Sequence, residues 1–218
     1  MGYFITFEGI EGCGKTTQIK LLARHLETLG HRIVMTREPG GCPISDNIRS
    51  IVLDAGNRDM CPMTELLLYA ASRAQHVTEV IRPALESGGI VLCDRFSDAT
   101  TAYQSFGRGI DRTIIDSLNS MACGSISPNL TVLIDCAPET GLMRARQRIE
   151  LSTGAREERF ELESLEFHCR VRDGYLALAQ QYPERFLNID GNRDISEITV
   201  NITRQVEQRI KDSKHGIC

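Results

Sequence analysis

Residues 9 to 16 of the chain are Gly9-Ile10-Glu11-Gly12-Cys13-Gly14-Lys15-Thr16 and match the pattern GxxxxGK[ST] in full. The preceding run, Tyr3 to Glu8, predicts a strand, and Lys15 to Leu29 has apolar residues at helical spacing, closed by Gly30. Between a strand and a helix, such a loop binds nucleotide phosphates through backbone N–H groups and the positive end of the helix. A simple glycine-rich turn would not explain Lys15, one of 4 lysines in the chain.

The rest of the chain alternates short apolar runs with amphipathic stretches. Strands are predicted at Ile33–Met35, Ile90–Asp94, Leu130–Asp135 and Phe186–Ile189, and helices at Thr64–Glu86, from Pro138, from about Glu163, and at Ser196–Lys211. Strands that alternate with helices predict an α/β fold with a doubly wound parallel sheet of five strands. In such sheets the ligands bind beyond the carboxyl ends of the strands, where the phosphate-binding loop also lies.

Composition excludes several functional classes. Net charge is −4, so we expect no nucleic-acid partner, and no run of about 18 apolar residues predicts a membrane span. The first residues lack the basic stretch and cleavage site of a signal peptide, which favours a cytoplasmic protein. None of the 8 cysteines forms a CxxC pair, so we expect no zinc site or disulfide framework.

Two residues of the predicted active edge have the chemistry of a magnesium site. The Thr16 hydroxyl follows Lys15, whose ammonium would reach the β- and γ-phosphates. Asp94 ends a buried strand and could hold a water bound to Mg²⁺, although a helix cap is the alternative. Asp135 ends the next strand, and for it we favour the cap.

Arginine supplies most of the positive charge, and its guanidinium fork suits phosphate monoesters. Arg37, Arg73 and Arg95 follow or face predicted active-edge positions, where each could bind phosphate or simply lie on the surface. A second group of arginines lies within one short segment, which predicts either a solvated helix face or a set of side chains that bind phosphate. Its members are Arg144, Arg146, Arg148, Arg156 and Arg159.

Motifs along nearly the whole chain resemble those of the thymidylate kinase family. The phosphate-binding loop carries an acid at Glu11, as that family's loop does. The further motifs are Thr36-Arg37-Glu38-Pro39-Gly40-Gly41, Tyr69-Ala70-Ala71-Ser72-Arg73-Ala74-Gln75-His76, Asp94-Arg95-Phe96, Ala102-Tyr103-Gln104, Gly107-Arg108-Gly109, Arg159-Phe160-Glu161 and Phe167-His168. The resemblance implies an enzyme that transfers the γ-phosphate of ATP to dTMP, giving dTDP and ADP in dTTP synthesis.

The resemblance also implies roles for individual residues. ATP is expected at Gly9, Ile10, Glu11, Gly12, Cys13, Gly14, Lys15, Thr16 and Thr17, with Mg²⁺ at Thr16 and Asp94. dTMP is expected at Glu11, Arg37, Glu38, Arg49, Tyr69, Arg73, Arg95, Thr100, Tyr103 and Gln104. Arg37 and Arg95 would hold its phosphate, and Tyr69 would stack on thymine. Arg73, Thr100 and Gln104 would recognise the base. Tyr103 would crowd C2′ of the sugar. Tyr69 could instead be a core aromatic, but it shares a helix face with Arg73.

The transferred phosphoryl group needs an arginine that the phosphate-binding loop does not provide, since the loop reads Glu11-Gly12-Cys13. We therefore expect Arg148 and Arg159 to close over the γ-phosphate from a lid at about residues 148–163, with Arg156 as the alternative. With Lys15 and Arg95 they form the predicted catalytic set. We expect one domain over residues 1–218, and the resemblance implies a homodimer.

Two other functions are compatible with the phosphate-binding loop alone. A deoxynucleoside kinase would need a base for a sugar hydroxyl and would not need several arginines around the acceptor. A non-catalytic nucleotide-binding regulator would need neither an acceptor pocket nor a lid. Independently of function, the position of Cys13 beside Lys15 and a helix N-terminus predicts that it is the most reactive thiol.

Overall fold

The computed structural model describes residues 2–151 and 159–215, and these form a five-stranded parallel sheet with helices on both faces. The strands are β1 (Tyr3–Glu8), β2 (Ile33–Arg37), β3 (Ile90–Asp94), β4 (Leu130–Asp135) and β5 (Phe186–Asp190). Their spatial order is β2-β3-β1-β4-β5, and every pairing is parallel. The predicted fold class and all five predicted strands are confirmed.

Helices connect the strands along the described part of the chain. They are α1 (Lys15–Thr28), α2 (Pro43–Leu53), α3 (Pro62–His76), α4 (Arg82–Glu86), α5 (Ser97–Thr100), α6 (Arg112–Cys123), α7 (Pro138–Glu150), α8 (Leu165–Gln181) and α9 (Ile195–His215). Two π-helical segments, Val77–Ile81 and Thr101–Gly107, extend α3 and α5. No helix within the described ranges combines the length and apolar character needed to span a bilayer.

The register of the sheet brings the candidate residues to one edge. Phe7 of β1 and Arg37 of β2 both lie opposite Asp94 of β3, so the three strands end side by side. β1 is the central strand, with β3 and β4 on its two edges and helices over both faces, and its residues from Phe4 onward are buried. The phosphate-binding loop therefore leaves the sheet from its most enclosed strand.

Three helical regions were not predicted, namely α2, α6 and the region from α5 through the π-helical segment. α2 and α6 both pack against α3, and the π-helical segment packs mainly against α8. A local signal was available for α6, because Asp111 caps it by accepting a hydrogen bond from the backbone N–H of Thr113 at 2.7 Å. The predicted helix at Thr64–Glu86 begins earlier, at Pro62, and is interrupted by a π-turn.

Candidate active site

A cavity of about 860 Å³ opens at the carboxyl edge of the sheet. Its walls come from the phosphate-binding loop, the ends of β2 and β3, α3, and the helical segment that follows β3. It brings together most of the residues singled out from the sequence: Glu11, Gly12, Lys15, Thr16, Arg37, Glu38, Arg49, Tyr69, Arg73, Asp94, Arg95, Thr100, Tyr103, Gln104 and Arg148. Donor-side and acceptor-side candidates thus share one continuous space.

The phosphate-binding loop has the tight backbone that its glycines predict. Gly12 has φ +69°, and a Cβ there would lie 2.0 Å from the carbonyl oxygen of Gly141, so no other residue could occupy this position without displacing α7. The Lys15 ammonium folds back over the loop and donates to the carbonyls of Gly9 at 3.0 Å and Ile10 at 2.9 Å. The loop and its lysine therefore form one preassembled unit at the start of α1.

The predicted magnesium residues contact each other directly. The Thr16 hydroxyl donates to Oδ2 of Asp94 at 2.8 Å. Among the described residues no cluster of three or more His, Cys, Asp and Glu could hold a metal, but Mg²⁺ commonly binds few protein ligands and keeps waters and phosphate oxygens. A hydroxyl beside a carboxylate is a hard oxygen donor set, so these two residues suit that ion. Asp94 does not cap a helix, because the N-cap of α5 is Phe96.

The prediction that Asp135 caps α7 is wrong. The N-cap of that helix is Ala137, which offers no side-chain acceptor. Asp135 instead forms a bidentate ion pair with Arg172 of α8, with N–O distances of 2.6 and 2.7 Å. The carboxylate ties the end of β4 to a helix that is distant in sequence, so its local sequence could not reveal this role.

Arg95 is held in place by a dense set of contacts. It is the only non-glycine residue with positive φ in the described ranges, at φ 69°. Its guanidinium donates to the Gly9 carbonyl at 2.9 Å, the Tyr175 hydroxyl at 3.0 Å and Glu11 at 3.0 Å. A strained backbone that is fixed from several sides is typical of a functional position. The cation is thus preorganised on the floor of the cavity.

Two buried residues that sequence reasoning missed support Arg95. Glu8 accepts the backbone N–H of Phe96 at 2.8 Å and the Tyr175 hydroxyl at 2.8 Å. Burial and the nearby Asp98 carboxylate raise the pKa of Glu8 to about 8. Tyr175 therefore links Glu8 to Arg95 across the sheet edge. Glu8 and Tyr175 are 167 residues apart in sequence, and no local motif marks the pair.

Glu11 and Tyr103 form the next part of the floor. The Tyr103 hydroxyl donates to Oε1 of Glu11 at 2.5 Å, and its ring lies under the Arg95 guanidinium at 4.8 Å. Burial alone would raise the pKa of Glu11, but Arg95 and His168 hold it well below its usual range. His168, whose Nδ1 is 3.2 Å from Oε2 of Glu11, is a second contact that the sequence did not indicate.

The base-side candidates sit on adjoining helices. Tyr69 and Arg73 of α3 both line the cavity, as their i, i+4 spacing predicts. The Arg73 side chain is 1% exposed and donates to Glu38 at 2.7 Å and to Thr100 Oγ1 at 2.9 Å. Nearer the entrance, Arg37 pairs with Asp46 at 3.0 Å and is half exposed.

The structure brings Arg148, but not Arg159, to the cavity. Arg148 is 65% exposed at the end of α7 and lies 3.7 Å from Glu161. Arg159 is 4% exposed, with its guanidinium held by the Val52 carbonyl at 2.6 Å and the Glu65 carboxylate at 2.6 Å. The prediction that Arg159 closes over the γ-phosphate is therefore corrected, because its side chain is buried and two of its five N–H donors contact α2 and α3 rather than the cavity. Arg156 lies outside the described residues.

Arg159→Ala should destabilise the fold. It would remove one partner of a buried ion pair, at a cost of roughly 3 kcal/mol, the low end of the usual range because Arg108 and Gln104 still contact Glu65. Urea unfolding of this variant beside Arg146→Ala, an exposed position on α7, measures the difference. Equal free energies of unfolding in the two variants would show that the buried contact contributes nothing.

The cysteines also depart from the sequence-based expectation. Cys13 is 2% exposed beneath the phosphate-binding loop, with its Sγ 3.5 Å from the Lys15 ammonium. Cys61 is the exposed thiol among the seven cysteines of the described ranges. Hydrogen bonds with the side chain and backbone of Thr64 lower the pKa of Cys61. Accessibility therefore favours Cys61 over Cys13.

Alkylation should label Cys61 before the other six described cysteines. A thiol reacts faster when it is accessible and when its pKa is lowered, and Cys61 is exposed and has a pKa lowered by its hydrogen bonds with Thr64. Peptide mapping by mass spectrometry after brief iodoacetamide treatment gives the order, with Cys61→Ser as the control. Faster labelling of Cys13 would restore the original expectation.

Comparison with known proteins agrees with the geometry. The thymidylate kinase family model matches residues 7–202. The thymidylate kinase of Pelobacter propionicus is 64% identical over 218 residues, covering 100% of both chains, and that of Trichlorobacter lovleyi is 64% identical over 95% of this chain and 98% of the relative. The crystal structure of thymidylate kinase from Ehrlichia chaffeensis superposes with a TM-score of 0.75 at 34% identity, covering 94% of this chain and 98% of that one. The chain belongs to the thymidylate kinase family.

Proposed function

We propose that the residues lining this cavity position ATP and dTMP for direct phosphoryl transfer. The family gives the reaction, in which the γ-phosphate of ATP passes to dTMP and yields dTDP and ADP. The observation that carries the residue assignment is that the phosphate-binding loop and the arginine-rich acceptor side line one cavity. Such transfer depends on positioning and charge neutralisation more than on covalent catalysis.

On the donor side, the loop at residues 9–17 wraps the ATP phosphates with its backbone N–H groups. Lys15 moves its ammonium from the carbonyls of Gly9 and Ile10 to the β- and γ-phosphates. Arg148 approaches the transferred group from the lid, at about residues 148–163. Its exposed side chain at the end of α7 is free to swing, as a residue that acts only in the closed state must be.

On the acceptor side, Arg95 and Arg37 hold the dTMP phosphate. Arg95 is fixed before substrate arrives, which reduces the reorganisation needed during transfer. Arg49 and Glu38 frame the same space, and Tyr69 offers its ring to the base. The base contacts come from Arg73, Thr100 and Gln104, and Tyr103 with Glu11 shapes the space around the sugar.

Thr16 and Asp94 would hold Mg²⁺ when ATP, the phosphate donor, is bound. When bound, the ion supplies positive charge that offsets the negative charge on the phosphate oxygens. The residues of the chain contribute the rest of the charge through Lys15, Arg95 and Arg148. The supporting observation is the oxygen donor set formed by the hydroxyl and carboxylate.

Residues 1–218 would act as one domain that includes the lid, in the cytoplasm, where ATP and dTMP are found. We also propose a homodimer. Exposed apolar side chains occur on the neighbouring helices α2 and α3, where a partner could cover them. They are Ile44, Ile51, Met63 and Leu67.

Label transfer tests the reaction directly. ATP that carries ³²P in its γ-phosphate is incubated with the protein, Mg²⁺ and dTMP, and products are separated by chromatography. The proposal expects the label in dTDP. Label that appears only in inorganic phosphate, or remains in ATP, would contradict transfer to dTMP.

A further inference from the structure

Glu65 is a buried carboxylate beside the base side of the cavity. It lies in the first turn of α3, one helical turn before Tyr69, and is 0% exposed. Its Oε1 accepts from Gln104 Nε2 at 2.9 Å and Arg108 Nε at 3.2 Å, and its Oε2 accepts from the terminal nitrogens of Arg108 at 3.1 Å and Arg159 at 2.6 Å. Glu65 does not line the cavity, so it has no direct contact to offer a ligand there.

These contacts fix the orientation of the Gln104 amide. A carboxylate accepts hydrogen bonds and donates none, so the NH₂ group of Gln104 must face Glu65. The opposite orientation would place two oxygens against each other in a buried space, with a large penalty. Since Gln104 lines the cavity, its carbonyl oxygen is the polar atom left for a ligand. Within residues 2–151 and 159–215, no group donates to that oxygen.

Arg73 presents the complementary group. A guanidinium has five N–H donors. The Nε–H of Arg73 donates to Glu38, and one N–H of a terminal nitrogen donates to Asn119. The two N–H groups of the other terminal nitrogen donate to the Phe96 carbonyl and the Thr100 hydroxyl. One donor therefore remains on the nitrogen that contacts Asn119. Arg73 and Gln104 both line the cavity, and Arg73 contacts Thr100, one helical turn before Gln104, so we infer that this donor and the Gln104 carbonyl oxygen are offered to the same base.

A donor beside an acceptor matches one edge of thymine and opposes that of cytosine. Thymine presents the O4 acceptor and the N3–H donor, whereas cytosine presents the N4 amino donor and the N3 acceptor. With the Gln104 amide fixed, cytosine would place its N4 donor against the Arg73 donor and its N3 acceptor against the Gln104 carbonyl oxygen. A buried site that leaves polar groups unpaired rejects the wrong ligand strongly.

We propose that Glu65 is a positioning residue for pyrimidine specificity, because it holds the Gln104 amide with its carbonyl toward the base. This inference deepens the proposed function and depends on dTMP being the acceptor. Glu65 acts through Gln104 and does not touch the substrate. Arg108 and Arg159 offset its charge, which allows an acceptor-only group to remain beside the base site.

Glu65→Gln provides the test, because the new side chain has the same shape but one oxygen in place of two. That oxygen is best placed against the two arginines, which turns the new NH₂ toward Gln104 and favours reversal of its amide. The ratio of kcat/KM for dTMP to kcat/KM for dCMP should fall at least about tenfold. Glu163→Gln is the matched control, since Glu163 pairs with Arg108 at 2.7 Å and should leave the ratio unchanged.

A combined variant tests whether Glu65 acts through Gln104. In a Gln104→Ala background, adding Glu65→Gln should not change the dTMP to dCMP ratio further. Equal losses of activity toward both nucleotides in Glu65→Gln would show a merely structural role. That result would overturn the inference even if the wild-type protein phosphorylates dTMP. A wild-type protein that does not phosphorylate dTMP would instead overturn the proposed function, and this inference with it.

A measurement on the wild-type protein does not depend on any variant of Glu65 folding. In the dTMP complex, the side-chain ¹⁵NH₂ protons of Gln104 should exchange with water more slowly than those of Gln208. The Gln208 amide contacts Asp212 in the exposed part of α9 and serves as the reference. The Gln104 signals are assigned by their loss in Gln104→Ala. Protected signals support the fixed amide. Exchange as fast as that of Gln208 would overturn it.

Discussion

Lys15→Ala should lower kcat for dTMP phosphorylation by about 10³-fold or more while the fold remains intact. Lys15 provides the positive charge of the phosphate-binding loop, and its loss would remove the cation that the loop directs at the β- and γ-phosphates. Its present contacts are with carbonyls of its own loop, so no ion pair would be broken. Steady-state rates at saturating ATP and dTMP, together with the circular dichroism spectrum, measure both effects.

Lys211→Ala is the matched control for this prediction. It deletes the same side chain on α9, where Lys211 is 66% exposed and pairs with Glu207 at 3.6 Å. This variant should retain the wild-type kcat, because α9 is not part of the cavity wall. A Lys15→Ala enzyme that turns over as fast as Lys211→Ala would refute the role of the phosphate-binding loop.

Arg148→Ala should produce the second large loss, about 10³-fold in kcat, with little change in ATP affinity. An arginine that meets charge only in the transition state contributes to rate rather than to ground-state binding. Arg148 has the position for this role, since it lines the cavity from the end of α7 and is 65% exposed. Rates and ATP affinities are compared with those of Arg146→Ala, a neighbouring exposed arginine on α7 that does not line the cavity.

The remaining lid arginines complete this experiment. Arg156→Ala is assayed in parallel, because Arg156 is the alternative suggested by its place in the sequence. Arg159→Ala should differ from both by losing stability rather than catalytic charge, since its guanidinium is buried against Glu65. A loss below about tenfold in every variant, or about 1.4 kcal/mol, would mean that the lid does not supply the catalytic arginine.

Features that depend on local pattern were predictable from sequence. The glycine-rich loop between β1 and α1 indicated a phosphate site because the pattern, the strand and the helix are contiguous. The inner strands β1, β3 and β4 were predictable because buried parallel strands are largely continuous apolar runs, whereas the edge strands β2 and β5 are shorter apolar runs that are partly exposed. The shared face of Tyr69 and Arg73 followed from helical spacing, and both line the cavity.

Features that depend on distant partners were not predictable. Arg159 looked like its neighbours in a run of arginines, but a carboxylate 94 residues away in sequence determines that it is buried. The same is true of Tyr175, which reaches Glu8 across 167 residues. Chain pattern indicates which residues are charged, whereas burial decides which charges remain available to a ligand.

The reactivity of thiols shows a similar limit. Proximity to Lys15 and to the start of α1 was visible for Cys13, but its burial beneath the loop was not. Cys61 occupies the N-cap of α3, with Pro62 as the first helical residue. Its exposure follows from how α3 packs, which the local sequence does not encode.

Substrate choice tests the central claim most directly. ADP release is measured with ATP, Mg²⁺ and a panel of acceptors that includes thymidine, dTMP, dUMP, dCMP, AMP and CMP. The cavity predicts that dTMP gives the highest kcat/KM, dUMP a lower value, and the purine and cytosine nucleotides very little. Thymidine should not react, since Arg37 and Arg95 require a phosphate on the acceptor. A best acceptor other than dTMP, or ADP release that no acceptor increases, would contradict the account.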